Sequence, residues 1–523
     1  MEQQKQKFKQ YVWDKMIAPQ LGYSFNLAHG VSYSLIAVQE MNLATRWNPL
    51  FWACACLCVN AGNSATDFDE IDEDEELDVE DANVAENAEN EAENEEEDVK
   101  VKRVAPNYGK IAKAISDAQH AGVHIELPDI NTAEADFVPD IENNAILYSL
   151  QAINVVNPEL MDRIIAGRPY KSLFDFLDRV EATPAQIRGL IKAGCFDKLE
   201  GKARPTIMAM YLQRLADQEI QMKDKLNMVQ VKQALKLGMQ LNGYEKEIRL
   251  FKFKQYIDKN QKDTANRRYL LTEEVCIKFF QDFVAPSLNV TKGEYSYCAN
   301  GDIAVKPGAF TKFYEAEMAK LLGYLNSEEG KKIFHRVQQD AFIEDIKQQY
   351  CTGTVDSWEM ETMCFYHDRH ELKGMNTVEY NVKNFDTLPE DPKPTSVTER
   401  NGKTYENYTL CAMAGTVIKT DNTRHIVSLL TLDGVVDVKM YAGIYNQYNQ
   451  KISVVDKETK KKTVIDDSWF KRGNKILTYG LRRDNMFVVK TDRSSGFNRT
   501  ICLINKVRPD GSLDLQFTRK KVR

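Results

Sequence analysis

Residues 21–38 read LGYSFNLAHGVSYSLIAV, and the organisation of the chain turns on this stretch. Tyr23 and Phe25 are apolar, whereas Asn26 and His29 are polar and three apart, so on a helix they share a face. Gly22 and Gly30 loosen the backbone around them. From Val31 onward the apolar residues Val31, Leu35 and Val38, with Ile36 beside them, fit a helix. Composition alone describes a buried helix with one satisfied histidine. Downstream, Trp47, Asn48 and Pro49 make a break, and an apolar helix is expected over residues 50–59. That run is ten residues long, half of the roughly 20 a membrane span needs, so no membrane partner is expected. Cys54, Cys56 and Cys58 lie inside it with no histidine close by, and they read as buried free thiols rather than a zinc site. Ten cysteines in 523 residues give no disulfide framework, and the polar, Lys-rich opening is no signal peptide. The reading is a cytoplasmic, multidomain protein.

The net charge of −8 conceals an asymmetry. Residues 67–98 carry 19 acidic side chains and no basic one, and the rest of the chain is left at +11. The acidic run is too charged and too poor in aromatics to fold alone, so it reads as a disordered linker or insertion. Asp67-Phe68-Asp69 is not a catalytic pair, because two-metal carboxylates must be held rigidly. Residues 396–523 hold 24 Lys and Arg against 13 Asp and Glu, also +11. That excess points to a polyanion partner, most simply nucleic acid.

Between these regions the local signals are clear. Asn107 caps a helix carrying Ile111, Ala114, Ile115 and Ala118, Gly122 ends it, and residues 123–127 alternate as a strand. Ser172, with Asp175 three residues on, caps another helix. Thr183 caps the next, with Pro184 at its first position and Gly194 past its end. Residues 217–350 give helical patterns, such as 310–325 and 333–346. Basic residues with interleaved Phe and Tyr over 249–262 suit nucleic acid and an exposed helix equally. Gln338 to Phe342 is similar to a sliding-clamp-binding pentapeptide, but Ala341 is too small for the expected pocket. From Tyr408 the period switches to strands, over 408–418, 424–432 and 435–441, with Asp433-Gly434 as a hairpin turn. A short helix over 442–450 and strands over 475–481, 485–491 and 499–507 follow. Strands, a short helix and more strands on a basic background describe an OB-fold. Its aromatics (Tyr408, Tyr441, Tyr479, Phe487) and bases (Lys419, Arg424, Lys439, Arg482, Arg483) are the types a single-strand groove uses.

Several stretches resemble one family, the bacterial DNA polymerase III alpha subunits, or C-family replicative polymerases. Gly22, Tyr23, Phe25, Asn26, His29 and Tyr33 match the family's fingers motif, with Leu27 and Ala28 where the family carries Lys and Ser. Arg46, Trp47 and Pro49 echo the step that follows it. KIAKAISDAQHAGVHIELPDINTAEADF, residues 110–137, resembles the next family segment, and GLIKAGCFD, residues 189–197, matches its second helix-hairpin-helix half. In the first hairpin Asn154, Val155, Val156 and Asn157 stand where glycines are expected. METMCFYHDRHEL, residues 360–372, is a later match, with Tyr366, His370 and Leu372 in register and Glu371 replacing a proline. His367 and His370 have no further ligands near them and read as packing or capping residues.

The resemblance implies a mainly α-helical fingers and helix-hairpin-helix region followed by a C-terminal all-β OB-fold barrel. The implied divisions are 1–66 fingers helices, 67–98 acidic linker, 99–145 an α/β fingers extension and 146–216 the helix-hairpin-helix region. They continue with 217–350 a helical insertion, 351–395 a connector and 396–523 the OB-fold. It further implies template-directed DNA synthesis, with Asn26, His29 and Tyr33 near the incoming dNTP. Gly189, Lys192, Gly194, Lys198, Lys202 and Arg204 would meet template-primer DNA. Lys419, Arg424, Lys439, Tyr441, Arg482 and Arg483 would meet single-stranded template. The family's catalytic carboxylates belong to a palm upstream of the fingers, so Mg²⁺ is expected on a palm-bearing partner chain, with no catalytic or metal residue here. Such a split suggests a virus-encoded enzyme. The alternative is a non-catalytic single-stranded-DNA-binding or replisome scaffold protein derived from these modules.

Overall fold

The computed structural model describes residues 9, 10, 13, 27–62, 106–263, 267–367, 369–400, 403–455, 462–491 and 500–519. The acidic run 67–98 and the motif residues Gly22, Tyr23, Phe25 and Asn26 lie outside them. Two compact units share the chain, one from residues 1–207 and 353–523 and the other from 208–352.

The first unit opens with two helices, α1 (Leu27–Arg46) and α2 (Pro49–Asn60). Asn48 caps α2 by accepting from the Leu50 N–H, and Pro49 takes the first position, where an N–H has no helical partner. Leu50, Cys54 and Leu57 face inward, and the Cys54 and Cys58 thiols lie against the Phe137 carbonyl oxygen. α3 (Tyr108–His120) starts at the Asn107 cap and buries Ile111, Ala112 and Ile115. Past Gly122 a three-stranded sheet forms from β1 (His124–Glu126), β2 (Val138–Asp140) and β3 (Ala145–Leu147), with β3 central. Then come α4 (Pro158–Ala166), α5 (Leu173–Arg179), α6 (Pro184–Lys192), α7 (Asp197–Glu200) and α8 (Arg204–Glu219). Ser172 and Thr183 cap α5 and α6 as their sequence positions require, Thr183 in a full capping box with Gln186. Gly194, at φ +85°, closes α6 in the left-handed region that favours glycine. The next N–H, that of Cys195, returns to the Leu190 carbonyl.

The second unit contains α9 (Met228–Lys236), α10 (Glu245–Asn260), α11 (Glu274–Phe283), α12 (Pro307–Leu325) and α13 (Glu328–Tyr350). It also holds an antiparallel sheet, in the order β4 (Lys262–Asp263), β5 (Arg268–Leu271), β7 (Ile303–Val305), β6 (Tyr295–Tyr297). These strands are two to four residues long, too short for an alternating pattern, so the segment reads as helical in sequence. Phe253, Tyr269, Phe280, Phe310 and Leu321 make its core. The aromatics of the basic stretch 249–262 are thus mostly internal, and Tyr256 bonds to Glu273. The segment 338–342 lies within α13 with Gln339 bonded to Asp217.

The first unit resumes with α14 (Val355–Met363) and a hairpin of β8 (Ser396–Arg400) and β9 (Lys403–Asn407). A barrel follows from β10 (Cys411–Asp421), β11 (Ile426–Thr431), β12 (Gly434–Lys439), β15 (Lys475–Arg483) and β16 (Met486–Val489). Its order is β10, β11, β12, β16, β15, and β15 pairs back to β10 to close it. All neighbours are antiparallel except β12 with β16. Between β12 and β15 lie α15 (Ala442–Asn449) and a hairpin of β13 (Ile452–Val455) and β14 (Lys462–Asp466). β17 (Ile501–Val507) and β18 (Leu513–Gln516) extend the sheet from β15. Val427, Val438, Ile476, Phe487 and Trp469 fill the interior. This closed five-stranded barrel with a helix after its third strand is the OB-like fold expected at this position.

Candidate nucleic-acid interface

In the hairpin region the structure turns two basic side chains inward. Lys192, at the end of α6, is enclosed, and its ammonium lies 2.6 and 2.7 Å from the two carboxylate oxygens of Glu361 on α14. Arg204, the first residue of α8, donates to Asp197 at 2.7 Å and to Glu359 at 2.8 Å. Glu359 is fully buried and also accepts from the His367 N–H at 2.8 Å. Burial pushes the Glu359 carboxyl up, against the opposing pull of Arg204 and that N–H. Lys198 and Lys202 stay at the surface, beside Glu126 and Glu200. Gly189 has a packing reason to be glycine, since any Cβ there would collide with Val155. The hairpin that lacks its expected glycines therefore sits directly on the one that keeps them, and Asn154 bonds to α14 through the carbonyls of Glu361 and Thr362.

Five of the six barrel residues fall into two groups, and Lys419 stands apart from both. Arg482 and Arg483 serve the connector: Arg482 stacks on Phe385, 4.6 Å from its ring centre, and pairs with Glu390. Arg483 lies over Tyr408 and pairs with Asp391. Arg424, Lys439 and Tyr441 cluster at the other group, where the β10–β11 turn meets the end of β12. Lys439 donates to the Arg424 carbonyl, and Arg424 pairs with Asp421 while its side chain stays 73% exposed. Tyr441 is exposed, and Lys490, just past β16, stacks on it at 5.3 Å and donates to its hydroxyl at 3.0 Å. Sequence reasoning missed Lys490. No local signal marks it: the parallel β12–β16 pairing, which brings Lys439 opposite Val488, sets residues 441 and 490 at one edge. Tyr479 packs against a second hydrophobic cluster and Phe487 is core, so neither offers a stacking face.

α3 covers part of the outer barrel surface. Ala112 packs with Ile418, Leu430 and Val435, while Lys419 lies against Gly109. The outward face of β11 and β12 also carries Asp437, bonded to Ser428, and an acid there disfavours phosphate. The open basic surface is thus the Arg424, Lys439, Tyr441 and Lys490 edge. Of the fingers residues, Asn26 lies outside the described residues, His29 falls in the first turn of α1, and Tyr33 is exposed on that helix.

A helical hairpin region followed by an OB-like barrel marks a protein assembled from modules that recur in nucleic-acid enzymes. The helix-hairpin-helix motif family matches residues 122–206. The chain is 32% identical over 519 residues to a probable DNA polymerase, YorL, of Bacillus subtilis, and equally to a DNA-directed DNA polymerase of Bacillus phage SPbeta. Each match covers 98% of this chain and 36% of the relative, so the chain spans little more than a third of their length. A DNA polymerase III subunit alpha of Caulobacter vibrioides is 36% identical over 110 residues, 20% of this chain and 9% of that protein. Over these stretches the chain is similar to DNA polymerases, the DNA polymerase III alpha subunits among them.

Proposed function

We propose that this chain is the part of a polymerase III alpha-type enzyme that binds template-primer DNA and the incoming dNTP, and that a palm-bearing partner chain completes synthesis. The observation that carries the reading is the similarity of 98% of the chain to DNA polymerases. The exposed surface of α1 supports the need for a partner. Val31, Tyr33, Leu35, Ile36, Val38, Met41 and Leu43 are all about half exposed or more. At about 100° per residue they fall on every side of the helix. A helix that is apolar all round is normally enclosed, and a palm and its flanking helices are the surroundings proposed for it.

Among the described residues, no three His, Cys, Asp or Glu side chains converge to hold a metal ion. On this reading the Mg²⁺ ion is held by the partner palm. The contribution left to this chain is binding and orientation: Asn26, His29 and Tyr33 toward the nucleotide, and the barrel edge toward the single strand.

Primer extension tests the reading. The purified chain alone should not extend a primer, and adding a palm-bearing chain should restore extension. His29→Ala should then impair incorporation more than DNA binding. Extension by the chain alone would overturn the proposal. The internal placement of Lys192 and Arg204 favours a second reading, a non-catalytic single-strand-binding or scaffold protein. Failure to associate with any palm-bearing chain, with single-strand binding intact, would select it.

A further inference from the structure

A cavity of about 430 Å³ opens between α3, residues 365–367 and 369–373, and the β11–β12 hairpin. Its polar lining includes Gln119, His120, Arg369, His370, Lys373 and Thr431, and no carboxylate lines it among the described residues. Several inward cations of this unit are matched by carboxylates: Lys192 by Glu361, Arg204 by Asp197 and Glu359, Lys475 by Glu371. Here they are not. The Lys373 ammonium and the Gln119 amide make no hydrogen bond or ion pair among the described residues, and Arg369 donates only to the Lys373 carbonyl. His120 donates through Nδ1 to the Ser116 carbonyl at 2.8 Å, which leaves its Nε2 edge open. His370 is fixed differently. The Leu372 N–H donates to its Nδ1 at 3.0 Å, so Nε2 carries the proton and donates to the Leu430 carbonyl. It forms a neutral wall.

A concave site with two exposed positive charges and donors free to turn inward attracts an oxyanion. Arg in particular offers a planar fork that matches phosphate. The volume suits a small ligand rather than a single ion. We propose that this cavity binds a phosphate group through Arg369, Lys373 and Gln119, with His120 at its edge, apart from the Tyr441 and Lys490 edge of the barrel. Free pyrophosphate or nucleotide and the backbone phosphodiester of bound DNA share this chemistry. The inference does not depend on the polymerase reading, since it stands on the cavity alone.

The test uses the full chain and the Arg369→Gln/Lys373→Gln double variant, with Lys320→Gln on α12 as a control for charge loss. Both altered side chains are exposed, and an unchanged melting profile verifies folding. Calorimetric titration with sodium pyrophosphate, and separately with a single-stranded oligonucleotide, reads the binding. Pyrophosphate affinity should fall about tenfold or more in the double variant and not in the control. Loss confined to pyrophosphate assigns the free ligand, and loss confined to the oligonucleotide assigns the backbone phosphate. If the double variant binds both ligands as the unaltered chain does, the proposal is overturned. A second measurement needs no variant: bound pyrophosphate or oligonucleotide should protect Lys373 from amine acylation, read by mass spectrometry. Absence of protection by either ligand overturns it as well.

Discussion

Lys192 and Arg204 in the hairpin region, and Arg424 and Lys490 on the barrel, are equally basic as sequence, but the structure uses them differently. The first pair have side chains 7% and 4% exposed and answer carboxylates on α14. Arg424 stands 73% exposed, and Lys490 stacks on an aromatic ring that is itself open to solvent. The difference lies in whether a distant carboxylate arrives to meet the cation. Glu361 and Glu359 lie 169 and 155 residues from their partners. The hairpin cations therefore fasten two parts of one unit together, whereas Arg424, paired only locally with Asp421, and Lys490, set against Tyr441, lie at the barrel surface. Basic residues next to a nucleic-acid motif need not form its binding surface.

The sharpest way to break this comparison is Arg204→Ala. It strands a fully buried Glu359, which costs about 3–5 kcal/mol, and chemical denaturation of the variant should show the loss. If stability is kept and DNA affinity disappears instead, Arg204 belongs to the interface.

Acid probes the contact between barrel and helical segments. Burial depresses the His370 pKa from 6.5 to about 4. The folded state holds this ring neutral, so its contribution is complete above pH 6.5. It is lost as pH falls toward 4, because only the unfolded chain takes up the proton there. The loss approaches about 3 kcal/mol at pH 4. His370→Gln should be less stable at neutral pH and should show a flatter pH dependence over this window. An unaltered slope would contradict the assignment.

On the barrel, Tyr441→Ala should weaken single-strand binding about tenfold by removing a stacking face. Lys490→Gln should reduce the salt slope of that affinity by about one. A fluorescent oligonucleotide titrated at several salt concentrations measures both. If neither variant changes binding, the open edge is not the groove. The smallest effect is expected for Lys192→Met. Its partner Glu361 is half exposed, so stability should fall by about 1 kcal/mol, with oligonucleotide affinity unchanged in the same titration. A clear affinity loss there would restore Lys192 to the interface and erase the contrast.

Much of this was legible in the sequence where the signal is local. Asn107, Ser172 and Thr183 cap the helices they precede, Gly122 and Gly194 end them, and Asp433-Gly434 turns the hairpin. Each rests on a few adjacent residues and backbone rules. The alternation after Tyr408 likewise gave the barrel. What could not be read were pairings across long separations. Nothing near Lys192 announces Glu361, nothing near Gly109 announces Lys419, and Tyr441 and Lys490 meet only because β12 and β16 run parallel. The short strands of the second unit escaped because two to four residues hold too little pattern to distinguish from helix.

The Arg204–Glu359 link also sets a timetable for synthesis. The arginine emerges 155 residues before the carboxylate that will enclose it, with the whole 208–352 unit translated in between. At about 5–20 residues per second the delay is roughly 8–30 s. Throughout that interval the nascent hairpin region carries its guanidinium without Glu359, and by its end the 208–352 unit has everything its core requires. The inserted unit is thus positioned to fold on the ribosome before the unit that surrounds it in sequence, and the last-made barrel completes the first-made helices.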